Sequence, residues 1–162
     1  MREAKITVGN VGEDMRALRI VSPAYAGRDG ELTAVLQYVY QAISLGESGM
    51  GELSADLYRI AYDEMHHLQV LGTLITKLGA PPVFTACPPY PVSYYSASCV
   101  CYVRGAREMI AADIRAEQCA IASYCRILEQ LQNPAVSEVI SALLEEEQRH
   151  LKLLEDWAQR LC

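Results

Sequence analysis

The chain has 162 residues, 51% of them hydrophobic, enough for one domain with a substantial core. Fourteen Lys and Arg against twenty Asp and Glu give a net charge of −6, and no basic cluster could neutralise a row of phosphates, which excludes nucleic acid as a partner. The opening MREAKITVGN lacks the apolar core of a secretion signal, and no apolar run reaches the roughly 20 residues of a membrane span, so a soluble cytoplasmic protein without membrane contact is expected.

Residues 1–29 read as an irregular lead-in, interrupted by Gly9, Gly12, Pro23 and Gly27, with room for a short helix around Glu13 to Ile20. A first bundle helix is expected from about Gly30 to Leu45, N-capped by Asp29 and broken by GESGMG. A second runs from about Leu53 to Leu78, where Gly79-Ala80-Pro81-Pro82 places a glycine just past the end, followed by prolines. Residues 81–104 turn to Pro, Tyr, Ser and Cys without a sustained 3.6-residue pattern, and read as a crossover loop covering one end of a bundle. A third helix is expected from about Ala106 to Leu131. The fourth opens at Asn133-Pro134, a cap followed by proline at the first helical position, and continues nearly to the C-terminus. Two helices, a long crossover and two more helices make an all-α four-helix bundle, and residues 1–162 read as a single domain.

The six cysteines read as thiols rather than a disulfide framework in a reducing compartment. Cys99-Val100-Cys101 lacks the spacing of a zinc ribbon, and Cys119 and Cys125 read as small buried hydrophobes in a helix. Cys87, Cys99 and Cys101 belong to a packed loop on the simplest reading, against a third metal site or a redox pair. Tyr90, Tyr94 and Tyr95 are candidates for an oligomer contact.

Residues three, four and seven apart share a helix face, so each polar residue can be judged by its companions. In YDEMHHLQVL, Glu64 and His67 share a stripe with Leu57, Ile60, Ala61, Leu68 and Leu71 and face inward. Asp63 and His66 share the opposite, solvated side with Asp56 and Arg59. In EEEQRH, Glu147 and His150 lie with Val136, Ile140, Leu143, Leu151 and Leu154. The third helix adds Glu117 among Ile110, Ile114, Ala120, Ile121 and Leu128, and the first adds Glu31 beside Val35, Tyr38 and Ala42. The arrangement is doubled: Glu31 is followed seven residues on by Tyr38, Glu117 seven residues on by Tyr124, and each such helix precedes one carrying Glu-x-x-His.

Four carboxylates facing an apolar interior are costly unless positive charge sits among them. Two divalent metals supply it, and mixed carboxylate and imidazole donors suit iron or manganese better than a thiolate-preferring metal. A Glu from each of two helices plus Glu-x-x-His from the other two is the ligand arrangement of di-iron and di-manganese bundles. Glu64 and Glu147 would bridge, Glu31 and Glu117 would be terminal, and His67 and His150 would each complete one metal. Tyr38 and Tyr124 are expected to hydrogen-bond ligand carboxylates, against the simpler role of filling the bundle.

The segments GELTAVLQYVYQA, DEMHH and EEEQRH resemble those of ferritin-like carboxylate proteins, with metal motifs most like bacterioferritin, over about Gly30 to Leu161. Manganese catalases and their spore-coat relatives are also similar. The resemblance implies a ferritin-like bundle holding two irons, or two manganese ions, that reacts with oxygen or hydrogen peroxide, oxidises iron(II), and assembles as a homo-oligomer, a dimer or larger. Peroxide disproportionation of the manganese-catalase type and a non-catalytic metal-binding or coat subunit are the alternatives. Only about twelve residues follow His150, too few for the fifth helix of bacterioferritin cages, so a cage is not expected. Met65 stands where bacterioferritin carries a haem-ligating methionine, but surface packing is the simpler reading and haem is not expected.

Overall fold

The computed structural model describes residues 6–88 and 93–162. In chain order the helices are α1 (Met15–Ala26), α2 (Glu31–Glu47), α3 (Gly51–Lys77), α4 (Ala106–Gln130) and α5 (Pro134–Arg160), with one 3-10 turn at Ala97–Cys99. Helices α2 to α5 form the four-helix bundle, α2 packing chiefly on α3 and α4 chiefly on α5, and no strand occurs among the described residues.

The lead-in differs from the expectation of irregular chain. Asp14 opens α1 by accepting the Ala17 amide at 2.9 Å, and the helix runs well beyond Ile20. Pro23 falls in its last turn, where one missing donor removes little of the ladder. The buried face, Ala17, Leu18, Val21, Ala24 and Tyr25, packs on α3, α2 and α4, and this tertiary burial outweighs the weak local pattern. Gly27 and Gly30 then turn the chain hard back against the helix end. A Cβ on Gly27 would stand 2.3 Å from the Pro23 carbonyl oxygen, and one on Gly30 2.7 Å from that of Ala24. Gly30, not Asp29, is consequently the N-cap of α2, with no side-chain cap, and Glu31 is the first helical residue.

The bundle helices otherwise lie where the periodicity puts them. Asn133 caps α5 by accepting the Val136 amide, and its side-chain amide also donates to Val11 O and Asp14 Oδ2, tying the lead-in to this helix start.

Among its described residues, the crossover follows α2 where a cover over one end of the bundle was expected. It runs along α2: the Tyr95 and Thr33 hydroxyls lie 3.0 Å apart, the Cys101 amide donates to Gln37 Oε1 at 3.0 Å, and the Tyr40 hydroxyl donates to Val103 O. Loop residues 95, 101 and 103 thus meet α2 residues 33, 37 and 40 in the same order. Tyr94 is exposed and Tyr95 half-buried, whereas Tyr90 lies outside the described residues. Cys119 and Cys125 are exposed rather than buried, because the inward face of α4 is taken by Asp113, Glu117 and Tyr124. Cys87, Cys99 and Cys101 are free thiols, Cys87 exposed and the other two half-buried.

Two apolar clusters fill the interior. One gathers Leu18, Val21, Leu71, Leu74, Ile75, Ile140 and Leu143, and the other Leu45, Leu53, Leu57, Ile60, Ile110, Leu154 and Trp157. Each fully buried Leu or Ile contributes about 1.5–3 kcal/mol. Along α3 the switch between clusters falls between Ala61 and Val70, and along α5 between Leu143 and Leu154. Glu64, His67, Glu147 and His150 occupy those intervals, so a polar layer is sealed between two dry ones. No helix among the described residues is long and apolar enough to cross a membrane.

Candidate metal centre

All six residues singled out as candidate ligands are buried: Glu31, Glu64, His67, Glu117, Glu147 and His150 are each at most 6% exposed. The structure brings them together in two overlapping groups. Glu31, Glu64, His67 and Glu147 each offer one donor atom within 4.8 Å of the others, and so do Glu64, Glu117, Glu147 and His150. Glu64 and Glu147 belong to both groups. The three-residue spacing on α3 and α5 sets each carboxylate beside its own imidazole, with His67 Nδ1 3.1 Å from Glu64 Oε2 and His150 Nδ1 3.5 Å from Glu147 Oε2. Across the bundle, His67 Nδ1 lies 2.9 Å from Glu147 Oε1, and His150 Nδ1 2.9 Å from Glu64 Oε1. Both imidazoles therefore present Nδ1 to the same small volume.

The residues fit a pair of cations. Glu64 Oε1, Glu147 Oε1 and His150 Nδ1 are buried with no hydrogen-bond partner, although they stand within 3 Å of other donor atoms, so they converge on shared points instead of pairing. Buried polar atoms left in that state are costly, and a cation satisfies several at once. In the metal-free chain, protons do part of this work. Burial opposes the charged form of both histidines, but at His67 the Glu64 charge and the neighbouring carboxylates of Glu146, Glu147 and Glu31 prevail, and at His150 those of Asp63, Glu147 and Glu64 do. Both imidazoles are held well above the usual value of 6.5. Burial and the charges of Glu147 and Glu64 push Glu117 well above the carboxylate range. At Glu147 burial and the Glu64 charge are outweighed by the adjacent His150 and His67 imidazoles, which hold it low.

Glu31 stands in the first turn of α2 as the sequence suggested, yet its carboxylate reaches the site. Tyr38 and Tyr124 lie where the repeat implied: the Tyr38 hydroxyl donates to Glu117 Oε1 and the Tyr124 hydroxyl to Glu31 Oε1. Burial first, and then carboxylate charge, from Glu117 at Tyr38 and Glu31 at Tyr124, keeps both phenols protonated donors.

Sequence reasoning missed the residues behind the histidines. His67 Nε2 is 2.6 Å from Glu146 Oε2, and His150 Nε2 3.4 Å from Asp63 Oδ2. A carboxylate on Nε2 orients the ring and leaves Nδ1 for the site. Asp63 is half-exposed, so its assignment to a solvated face is half right, and Glu146 is buried and further paired with Arg149 at 3.2 Å. The available signal was that an acidic residue precedes the inward glutamate in both pairs, Asp63-Glu64 and Glu146-Glu147. His66 is half-buried rather than outward, with Nε2 shielded and unpartnered. Met65 is 49% exposed.

Comparison with known proteins follows the same lines. The family model for the ferritin-like domain matches residues 29–161. A bacterioferritin of Desulfovibrio desulfuricans is 29% identical over 154 residues, covering 89% of this chain and 76% of that protein. The X-ray structure of the D. desulfuricans bacterioferritin, described with its diiron site in different catalytic states, superposes with a TM-score of 0.76 at 25% identity, over 90% of this chain and 79% of that one. KatB, a manganese catalase from Anabaena, gives a TM-score of 0.84 at 22% identity over 99% of this chain and 80% of its own, a likeness of fold.

Proposed function

Because the chain belongs to the ferritin-like domain family, we propose that it is a dimetal-carboxylate oxidoreductase that oxidises iron(II) with oxygen or hydrogen peroxide. The observation that carries this reading is the pair of four-residue donor sets sharing Glu64 and Glu147. One metal would be held by Glu31, Glu64, His67 and Glu147, the other by Glu64, Glu117, Glu147 and His150. Two bound irons would supply the electrons for the reduction.

This chain's own residues do the rest. Glu64 and Glu147 bring negative charge to the midpoint, fixing the two positions close together. Glu146 and Asp63 orient the imidazoles through Nε2, and Tyr38 and Tyr124 hold the terminal carboxylates by one oxygen each. The apolar clusters on either side exclude bulk water, which strengthens every electrostatic interaction between them. Iron is favoured over manganese because the 29% identical relative is a bacterioferritin and the structure matched at 25% identity carries a diiron site. Carboxylate and imidazole donors accept either ion.

Elemental analysis of protein produced in iron-rich and in manganese-rich medium tests the reading. About two metals per chain are expected, with Glu64→Ala and His150→Ala each losing metal and turnover together. Oxygen release from peroxide by manganese-loaded protein, absent with iron, would reassign the activity to disproportionation. Protein that takes up no metal, or variants that keep full turnover, would sink the proposal. A homo-oligomer is expected on size exclusion with light scattering.

A further inference from the structure

Asp113, on α4, is a fully buried carboxyl for which the metal reading has no use. It is held by neutral groups: the side-chain amides of Gln37 and Gln41 both donate to one oxygen, Oδ1, at 2.8 Å. The other oxygen, Oδ2, has no partner, and neither does Gln41 Oε1, the acceptor on the amide whose nitrogen bonds Oδ1. An ionised carboxylate would leave two buried acceptors uncompensated. A proton on Oδ2 makes it a donor in the presence of a free acceptor on the same hydrogen-bonded pair.

The placement ties this group to the site. Asp113 lies one helical turn before Glu117 on the same face of α4. Gln37 and Gln41 flank Tyr38, whose hydroxyl donates to Glu117 Oε1. On its far side Gln37 accepts the amide of half-exposed Cys101, so polar groups extend from the crossover loop to the edge of the donor cluster. The bundle itself does not require them. Glu31 and Glu117 are 86 residues apart, and that same offset pairs Gln37 with Ser123, Gln41 with Ile127 and Asp113 with Gly27. The second half of the repeat has no such cluster.

We infer that Asp113 is a proton reserve for the dimetal centre: it rests as a neutral acid, releases its Oδ2 proton inward during reduction, and is refilled from solvent on the crossover-loop side. The inference rests on the proposed reaction. Reducing one hydrogen peroxide to two waters breaks the O–O bond and consumes two electrons, from iron(II), and two protons. Asp113 supplies one proton and becomes a carboxylate on the Gln37 and Gln41 amides, while solvent supplies the other. Burial pushes Asp113 up to about 7, against the opposing hydrogen bonds of Gln37 and Gln41 and the charge of Arg115. It can thus give and regain a proton near neutrality. Among titratable groups, Arg115 on its own helix acts on Asp113, and Asp113 acts in turn on Tyr38 of α2.

Two measurements decide the matter. Infrared titration of metal-free wild-type protein carrying 13C-labelled aspartate should show a protonated-carboxyl band at about pH 5 that disappears as pH rises through about 7. Absence of that band overturns the inference. Asp113→Asn, which keeps an acceptor for the two amides and puts a donor in place of the Oδ2 proton, should bind the wild-type complement of metal yet turn over at least about tenfold more slowly. Wild-type turnover in that variant overturns the inference as well. Should the variant not fold, the wild-type rate at saturating metal decides: it must fall as pH rises through about 7, and a flat profile overturns the role. A chain that takes up no metal defeats the proposed function itself, an outcome kept distinct because the infrared titration needs no metal.

Discussion

Tyr38 and Tyr124 each reach across to a carboxylate on the other helix pair, so a single oxygen atom sets how firmly each terminal glutamate is held. Tyr38→Phe should weaken metal affinity by about 10–100-fold in a metal titration while leaving the helices intact. Glu146→Gln should have a similar effect, since it weakens the charged hydrogen bond on His67 Nε2. Both imidazoles hold protons above 6.5 in the metal-free chain, and metal must displace them. Affinity should therefore keep rising as pH increases through and beyond 6.5. Asp113 adds a stability signature. Its folded value is raised from 3.8 to about 7, so the folded chain binds more protons than the unfolded one between those values. Wild-type protein should lose stability relative to Asp113→Asn as pH rises across that window, and hold a constant difference above it. At this scale the sequence was legible where polarity and periodicity clashed: Glu64 and Glu147 stood out because leucines and isoleucines surround them. Asp63 and Glu146 did not: polar companions drew Asp63 to the solvated side, and Glu146 sits at the flank of the stripe, where periodicity does not decide between histidine and solvent. Asp113 was missed because its partners, Gln37 and Gln41, sit 76 and 72 residues away.

Among the elements, the caps were the readable parts. Asn133 before Pro134 marked the start of α5, and Asn133→Ala should cost about 1 kcal/mol for the lost cap. The loss of its ties to Val11 and Asp14 should add to this, lowering the melting temperature and loosening the lead-in in hydrogen exchange. Helix α1 was largely hidden, because Pro23 and two following glycines look like chain breaks while the burial that stabilises the helix comes from α3. Gly27→Ala should destabilise by about 1–3 kcal/mol in denaturant unfolding, as its Cβ would collide with the Pro23 carbonyl. The course of the crossover was not legible at all. It is fixed by hydrogen bonds between α2 side chains and loop backbone or hydroxyl groups, and side-chain periodicity carries no information about those.

At the scale of the whole molecule, a metal held in the polar layer between two apolar clusters would make metal binding and folding interdependent. Loading should raise the melting temperature by an amount that grows with free metal, and a chelator should reverse it. The gross architecture was legible for a simple reason: helix pairs with short turns on each side of one long connection leave few ways to bury four apolar stripes together.

The cross-bundle bonds have a further consequence. Tyr38 serves Glu117 and Tyr124 serves Glu31, while His67 leans on Glu146 and His150 on Asp63. Every supporting bond that crosses the bundle has one end before the crossover and one after, so neither hairpin owns a finished half of the centre. A chain severed within the crossover should yield two peptides that are each incompetent, yet recover the whole site when mixed.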